Sequence, residues 1–281
     1  MKIASFDAGD GPETGVVIGD RIHSTGIGGS MIDLIAQWDK VKDAVVANAE
    51  RDPGLALDDI RLLAPVARPG KIFAIGLNYA DHIAESGMGT PEKQVWFTKS
   101  VTSVNAPGDP VLIAAGTSAV DYEVELVAVI GTRGKHIARE DAASHVFGYC
   151  VGNDVTERAW QHATPQWSLG KSFDTHAPIG PWITTADEIG DPHALDLRCL
   201  VNGAVRQSSN TRHLVFDLWD QIAHLSQAMT LEVGDLIFTG TPGGVGAAMK
   251  PPQFLKAGDV VRCEIERLGV IEAVLLDEGT A

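Results

Sequence analysis

Residues 121–131 read DYEVELVAVIG. Val124, Leu126, Val127, Ala128, Val129 and Ile130 are apolar and largely β-branched, the composition of a strand shielded from water on both sides. Glu123 and Glu125 interrupt that pattern two residues apart. On a strand the side-chain period is two, so both carboxylates leave the same face and sit close enough to repel each other. Either that face looks into solvent, or something positive holds the pair together.

Runs of the same kind recur on either side. Segments 71–78 (KIFAIGLN), 96–99, 111–113, 146–155, 199–201, 236–239 and 260–265 all read as short strands between turn signals. Helical patterns are fewer, chiefly at 138–147 and at 214–229, where Leu214, Leu218, Ile222 and Leu225 recur at helical spacing. Clustered strands with occasional helices predict an α+β, mainly β fold rather than regular β–α alternation. The first 25 residues read as a small meander. Ser30 then caps a helical stripe through Ile32, Ile35, Val41 and Val45, broken by the RDPG at 51–54. These boundaries predict a small α/β N-terminal domain, 1–67, ahead of a larger domain, 68–281.

The chain has 281 residues, 44% of them hydrophobic, ample for a core. Its formal charge of −15 argues against nucleic acid or an anionic membrane as partner. Cys150, Cys199 and Cys263 are too few and too widely spaced for a disulfide framework or a CxxC zinc site. The N-terminus lacks the apolar core of a secretory signal, and no stretch nears eighteen continuous apolar residues. A soluble, cytoplasmic protein is the expectation.

Four segments could carry chemistry. Asp154 closes the run HVFGYCVGND at a strand end, where a neighbouring strand could bring it beside Glu123 and Glu125. Three carboxylates without His or Cys form a hard oxygen site suited to Mg²⁺, Mn²⁺ or Ca²⁺; a polar strand face with ordinary acids is the alternative. In GLNYADHIAESG, Asn78 can cap a short helix that places His82 and Glu85 three apart on one face, as a general base and its orienting carboxylate or as a solvated pair. Gly87 and Gly89 would leave the loop beyond it free to move. The GKS of SLGKSFDTHAPIGPW is not a phosphate loop, because Pro165 stands where its first glycine belongs. Lys171 is then a lone cation, to balance acids, hold a substrate carboxylate or sit at a surface turn. Finally, DLIFTGTPGGVG sets Thr239, Gly240 and Thr241 after a strand, either an anion grip or a plain hairpin turn.

In order along the chain, KIFAIGLNYADHIAE, DYEVELVAVIG, GYCVGNDVTERAWQ, GKSFDTHAPIGPW, VNGAVRQSSNT and GDLIFTGTPGGVG resemble the fumarylacetoacetate hydrolase family over about residues 68 to 270. The resemblance implies a mixed, rolled, barrel-like β-sheet with a divalent metal at its mouth, usually in a homodimer. It assigns metal ligation to Glu123, Glu125 and Asp154, the His/Glu dyad to His82 and Glu85, and the active-site lysine to Lys171. Arg158, Gln161 and Thr241 match pocket positions, with Tyr79, Phe173, Thr175 and Gln207 as neighbours. In the fumarylacetoacetate-cleaving enzyme an aspartate near Asn78 is a fourth ligand; its absence here implies water in that place and a different substrate.

The family chemistry implies Mg²⁺ or Mn²⁺, with Ca²⁺ also open, gripping a 2-oxo or 2,4-dioxo acid for metal-assisted C–C hydrolysis to a pyruvate enolate. Oxaloacetate decarboxylation and hydration or isomerisation of a 2-oxo-enoic acid are alternatives at the same site. A structural Ca²⁺ clip is the non-enzymatic alternative. A glycosidase is disfavoured because its two carboxylates would flank a cleft rather than share a strand face.

Overall fold

The computed structural model describes residues 1–86, 89 and 91–279. Gly87, one of the two glycines read as freeing the loop after the His/Glu helix, lies outside them.

The quoted stretch is central to the fold. Val124–Ile130 forms a strand buried along its whole length, flanked by Val146–Asn153 and Leu236–Phe238, both antiparallel to it. Its two faces serve two cores. Val124, Leu126, Ala128 and Ile130 pack toward Leu197, Cys199, Val261 and Cys263 of a second sheet. Val127 and Val129 pack with Phe147, Ile179 and Phe238, and with Met31, Leu34 and Val45 of the N-terminal helices. Burial on both faces is why the run is continuously apolar rather than alternating.

The larger sheet follows the order Leu55–Ala56, Arg21–Ser24, Pro12–Ile18, Lys2–Asp7, Ala177–Thr185, Val146–Asn153, Val124–Ile130, Leu236–Phe238, Ile72–Gly76, Val95–Thr98. Leu236–Phe238 and Ile72–Gly76 run parallel within this mostly antiparallel array, so the sheet is mixed. Its ends do not pair with each other among the described residues: the sheet rolls without closing into a barrel. The second sheet orders Ala204–Asn210, Asp196–Val201, Val260–Ile265, Gly269–Asp277 and Val111–Ile113. The fold is thus mainly β with few helices.

The N-terminal meander joins the larger sheet through Lys2↔Thr184 and Ile3↔Ile183. Ser30 caps its helix with a reciprocal box to Asp33. The single helix expected after it is two, Met31–Ala36 and Trp38–Arg51, with Gln37 closing the first. Segment 138–147 is a 3₁₀ turn, Arg139–His145, leading into a strand, and the helix expected from Leu214 begins at Leu218, capped by Asp217. No helix among the described residues is long and apolar enough to cross a membrane.

Candidate active site

At the Val124 end of Val124–Ile130 a cavity of about 320 Å³ opens, lined in part by His82, Glu85, Glu123, Glu125, Arg158, Gln161, Lys171 and Thr241. Antiparallel register sets Val124 opposite Asn153, and the Asp154 N–H donates to the Glu123 carbonyl at 2.8 Å. That pairing brings Asp154 beside the two glutamates: one oxygen from each of Glu123, Glu125 and Asp154 lies within 4.8 Å of the others, all three buried.

The face carrying the pair therefore looks neither into water nor into apolar core. Lys171 Nζ donates to Glu123 Oε2 and Asp154 Oδ2, each at 2.6 Å. Arg158 Nη2 lies 2.7 Å from Glu123 Oε1, while its Nε donates to Asp121 Oδ2 at 2.9 Å. Lys99 Nζ donates to Asp154 Oδ1 at 2.5 Å. Among the described residues Glu125 Oε2 accepts only a backbone N–H, from Gly240 at 2.7 Å. Gly240 has φ +104°, and a Cβ there would meet Asn78 Cβ at 2.8 Å, so this donor requires glycine.

The electrostatics follow. Burial works against an ionised Glu123, yet Lys171 and Arg158 hold its carboxyl down at about 2. Burial, together with Asp154 and Glu123, pushes Glu125 well above the usual carboxylate range. Burial opposes the charge on Lys171, but Asp154 and Glu123 outweigh it and raise its pKa. Four buried carboxylates, Asp121 included, thus face three cations, and Glu125 is the one left without a cation, which is why its proton is held so firmly. Burial lowers the pKa of His82, whose Nδ1 has no hydrogen-bond partner among the described residues, so the imidazole is neutral at pH 7 and free to accept a proton.

The residues fit a divalent ion. Three hard oxygen donors converge, each carboxylate is oriented by a donor from the protein, and one buried carboxyl, Glu125, has no cation beside it among the described residues. Glu123, Glu125 and Asp154 would hold it.

Other expected residues stand apart from the cavity. Tyr79 is fully buried behind its wall. Phe173 packs edge-on against Trp160 and at a tilt beside His176. Thr175 Oγ1 accepts the Leu112 N–H, and Gln207 braces the wall from behind, accepting Val124 N–H and donating to Thr241 Oγ1. Asn78 does not cap the following helix: its side chain bonds Phe216 and Thr239, which occupies it fully. Glu85 is 2.5 Å from the Gly244 N–H, so its carboxylate grips the glycine turn.

Three polar residues at the site went unread in the sequence. Asp121 shares the period-two phase of Glu123 and Glu125 within the quoted stretch. It ties Arg158 to the turn N–H groups of Gly246 and Ala247. Lys99 follows buried Phe97 by two in VWFTKS, a cation in phase with a core residue. His162 shares its short helix, Arg158–His162, with Arg158 and Gln161 and also lines the cavity.

The fumarylacetoacetate (FAA) hydrolase C-terminal family matches residues 71–276, and the chain belongs to that family of enzymes. Among curated relatives, human "Oxaloacetate tautomerase FAHD2A, mitochondrial" is 43% identical over 96% of this chain and 90% of its own length. Two solved structures are similar throughout. Fumarylacetoacetate hydrolase from psychrophilic Exiguobacterium antarcticum is 37% identical, covering 99% of this chain and 100% of that one, with a TM-score of 0.89. Maleylpyruvate hydrolase from Sphingobium sp. SYK-6, in complex with manganese(II) ion and pyruvate, is 35% identical over 99% of both chains, with a TM-score of 0.85. In this chain the buried acidic triad is a group that could hold a metal ion.

The human relative is mitochondrial by name, which overturns the cytoplasmic expectation. Cys150, Cys199 and Cys263 are free and buried, which does not distinguish one compartment from another.

Proposed function

We propose that the protein is a divalent-metal-dependent enzyme that interconverts the keto and enol forms of a small 2-oxo dicarboxylic acid, with oxaloacetate as the substrate. The observation that carries this is one small cavity holding a converged carboxylate triad, two buried cations and a neutral imidazole with a free ring nitrogen. The human relative's name supports the same reading.

A divalent ion held by Glu123, Glu125 and Asp154 would polarise the 2-oxo group and make the neighbouring C–H acidic. Lys171 and Arg158 supply the fixed positive charge that receives an anionic substrate. Gln161 and the Thr241 hydroxyl add polar contacts at the cavity wall. His82 takes the proton from C3, and its imidazolium returns it to the 2-oxo oxygen, so one C–H bond breaks, one O–H bond forms and nothing else is consumed. Glu85, through Gly244, holds the glycine turn against the helix that carries His82.

A second reading is C–C hydrolysis of a 2,4-dioxo acid, favoured by the likeness to a maleylpyruvate hydrolase. There His82 would deprotonate a water instead. Parallel assays with Mg²⁺ and Mn²⁺ separate the two: oxaloacetate keto–enol exchange on one side, pyruvate release from acylpyruvates and from oxaloacetate on the other. The proposal expects exchange to dominate. Efficient pyruvate release with no exchange would replace it with the hydrolase or decarboxylase reading.

A further inference from the structure

Asp121 is fully buried, and its two oxygens meet donors from three segments of the chain. Oδ1 accepts the N–H of its neighbour Tyr122 at 3.0 Å and that of Gly246 at 2.7 Å; Oδ2 accepts the Ala247 N–H at 3.0 Å and Arg158 Nε at 2.9 Å. A Cβ at Gly246 would come within 2.7 Å of Oδ1, so the close approach of that turn depends on glycine. Val245, Ala247 and Ala248 line the cavity, as does Arg158. One carboxylate thus joins a cation of the cavity wall to a turn of the same wall.

The consequence lies in how Arg158 is held. A guanidinium grips a carboxylate well only when its planar fork is held in the right direction. Arg158 Nη1 donates to Gln161 Oε1 at 3.0 Å, but Gln161 sits on the same short helix, Arg158–His162, and moves with it. Nη2 stands 2.7 Å from Glu123 Oε1 and 2.9 Å from Asp121 Oδ2 and is aligned as a hydrogen-bond donor to neither. Among the described residues Asp121 therefore makes the one aligned hydrogen bond to this fork from outside the helix, and it leaves the buried Nη2 N–H groups unmatched beside the cavity. The helix itself is anchored separately. Val120 and Asp121 pair with Glu157 and Thr156, the Arg158 N–H donates to the Ala119 carbonyl at 3.0 Å, and Glu157 Oε1 accepts the Ala119 N–H at 3.0 Å. Loss of the Asp121 carboxylate would free the fork and keep the helix in place.

We propose that Asp121 is a positioning residue for substrate binding: it aims the Arg158 fork at the carboxylate of the 2-oxo acid and ties the Gly246–Ala248 turn to that fork. This rests on the reading of the cavity as a 2-oxo acid site and goes beyond it, because it assigns affinity to a residue that does not itself line the cavity.

The test measures oxaloacetate keto–enol interconversion by the metal-loaded full chain, for wild type, Asp121→Asn, Arg158→Gln and the double variant. An asparagine turns an N–H₂ group toward donors that need an acceptor, so Asp121→Asn should raise KM about tenfold or more while kcat stays within about threefold. Lys171 still holds Glu123 in that variant. Because Asp121 acts through Arg158, the double variant should raise KM no further than Arg158→Gln alone. A KM within about threefold of wild type, a kcat lowered about tenfold or more, or a double variant whose KM rise is the product of the single rises overturns the proposal. Asp235→Asn, which breaks the Lys71–Asp235 pair outside the cavity, should lower the melting temperature and leave KM unchanged; a KM rise there as large as in Asp121→Asn also overturns it. If Asp121→Asn does not fold, proton NMR of wild type decides. The Arg158 Nε–H, identified by its loss in Arg158→Gln, should exchange its hydrogen with water more slowly than those of the exposed Arg51 and Arg68, and equal rates contradict the assignment. Wild type that does not interconvert oxaloacetate refutes the proposed function itself, a different failure, and the NMR measurement then decides for Asp121.

Discussion

Lys171 Nζ and Glu123 Oε2 stand 2.6 Å apart at the base of the cavity, both screened from water. That contact, with Arg158 on the other oxygen of Glu123, leaves Glu125 as the triad member with no ion pair among the described residues. The imbalance is what a divalent ion would relieve.

Metal should therefore stabilise the fold through Glu125. At a concentration 100 times its dissociation constant, Mg²⁺ or Mn²⁺ should add about 2.7 kcal/mol to wild type. Glu125→Gln removes the disfavoured charge, so its metal-free form should melt at or above the wild-type temperature and gain little from metal. Thermal melts with and without chelator check this; an undiminished gain in the variant would clear Glu125 of ligation.

His82→Asn should lower kcat by about 10²–10⁴ and leave the metal dissociation constant unchanged. Burial holds the His82 pKa below its ordinary 6.5, so the base limb of the wild-type profile should rise with pH and level off before neutrality. A variant with full turnover would remove His82 from proton transfer.

His176 gives a stability signature away from catalysis. It is buried, Nε2 bonds the Leu112 carbonyl at 2.9 Å, and burial takes its pKa down to about 4 from 6.5. A base with a depressed folded pKa contributes its full stability above 6.5 and loses it as pH falls toward 4, because the unfolded chain protonates first. The loss is on the order of 3 kcal/mol. Urea midpoints measured across that window should fall more steeply for wild type than for His176→Gln; parallel curves would contradict the assignment.

Gly240→Ala should cost about 1–3 kcal/mol, since φ +104° and the 2.8 Å approach to Asn78 Cβ both exclude a side chain. It should also weaken metal binding, because the displaced N–H is the one that orients Glu125. Combined denaturation and calorimetry reads both effects.

Much of this site was visible in the sequence because period-two arithmetic is local. The spacing of Glu123 and Glu125 and the strand end at Asp154 needed only one antiparallel pairing to converge. What stayed hidden depends on distant contacts. Lys99 reaches Asp154 across 55 positions, and nothing near VWFTKS announces an acid waiting for it. Asn78 looked like a cap because its local neighbours allow one, but Phe216 and Thr239, more than a hundred positions away, claim its side chain. The break at Gln37 was likewise invisible, since the apolar spacing runs on across it and only the non-helical backbone of Gln37, φ −115° and ψ 13°, separates the two helices.

The most direct test follows oxaloacetate keto–enol exchange by ultraviolet absorbance, with metal-loaded wild type, chelator-treated wild type and His82→Asn in parallel. Rapid exchange by the loaded enzyme, abolished by chelator, restored by Mg²⁺ or Mn²⁺ and largely missing from the variant, is the expected result. Exchange that persists undiminished after the metal is stripped would contradict the triad's role outright.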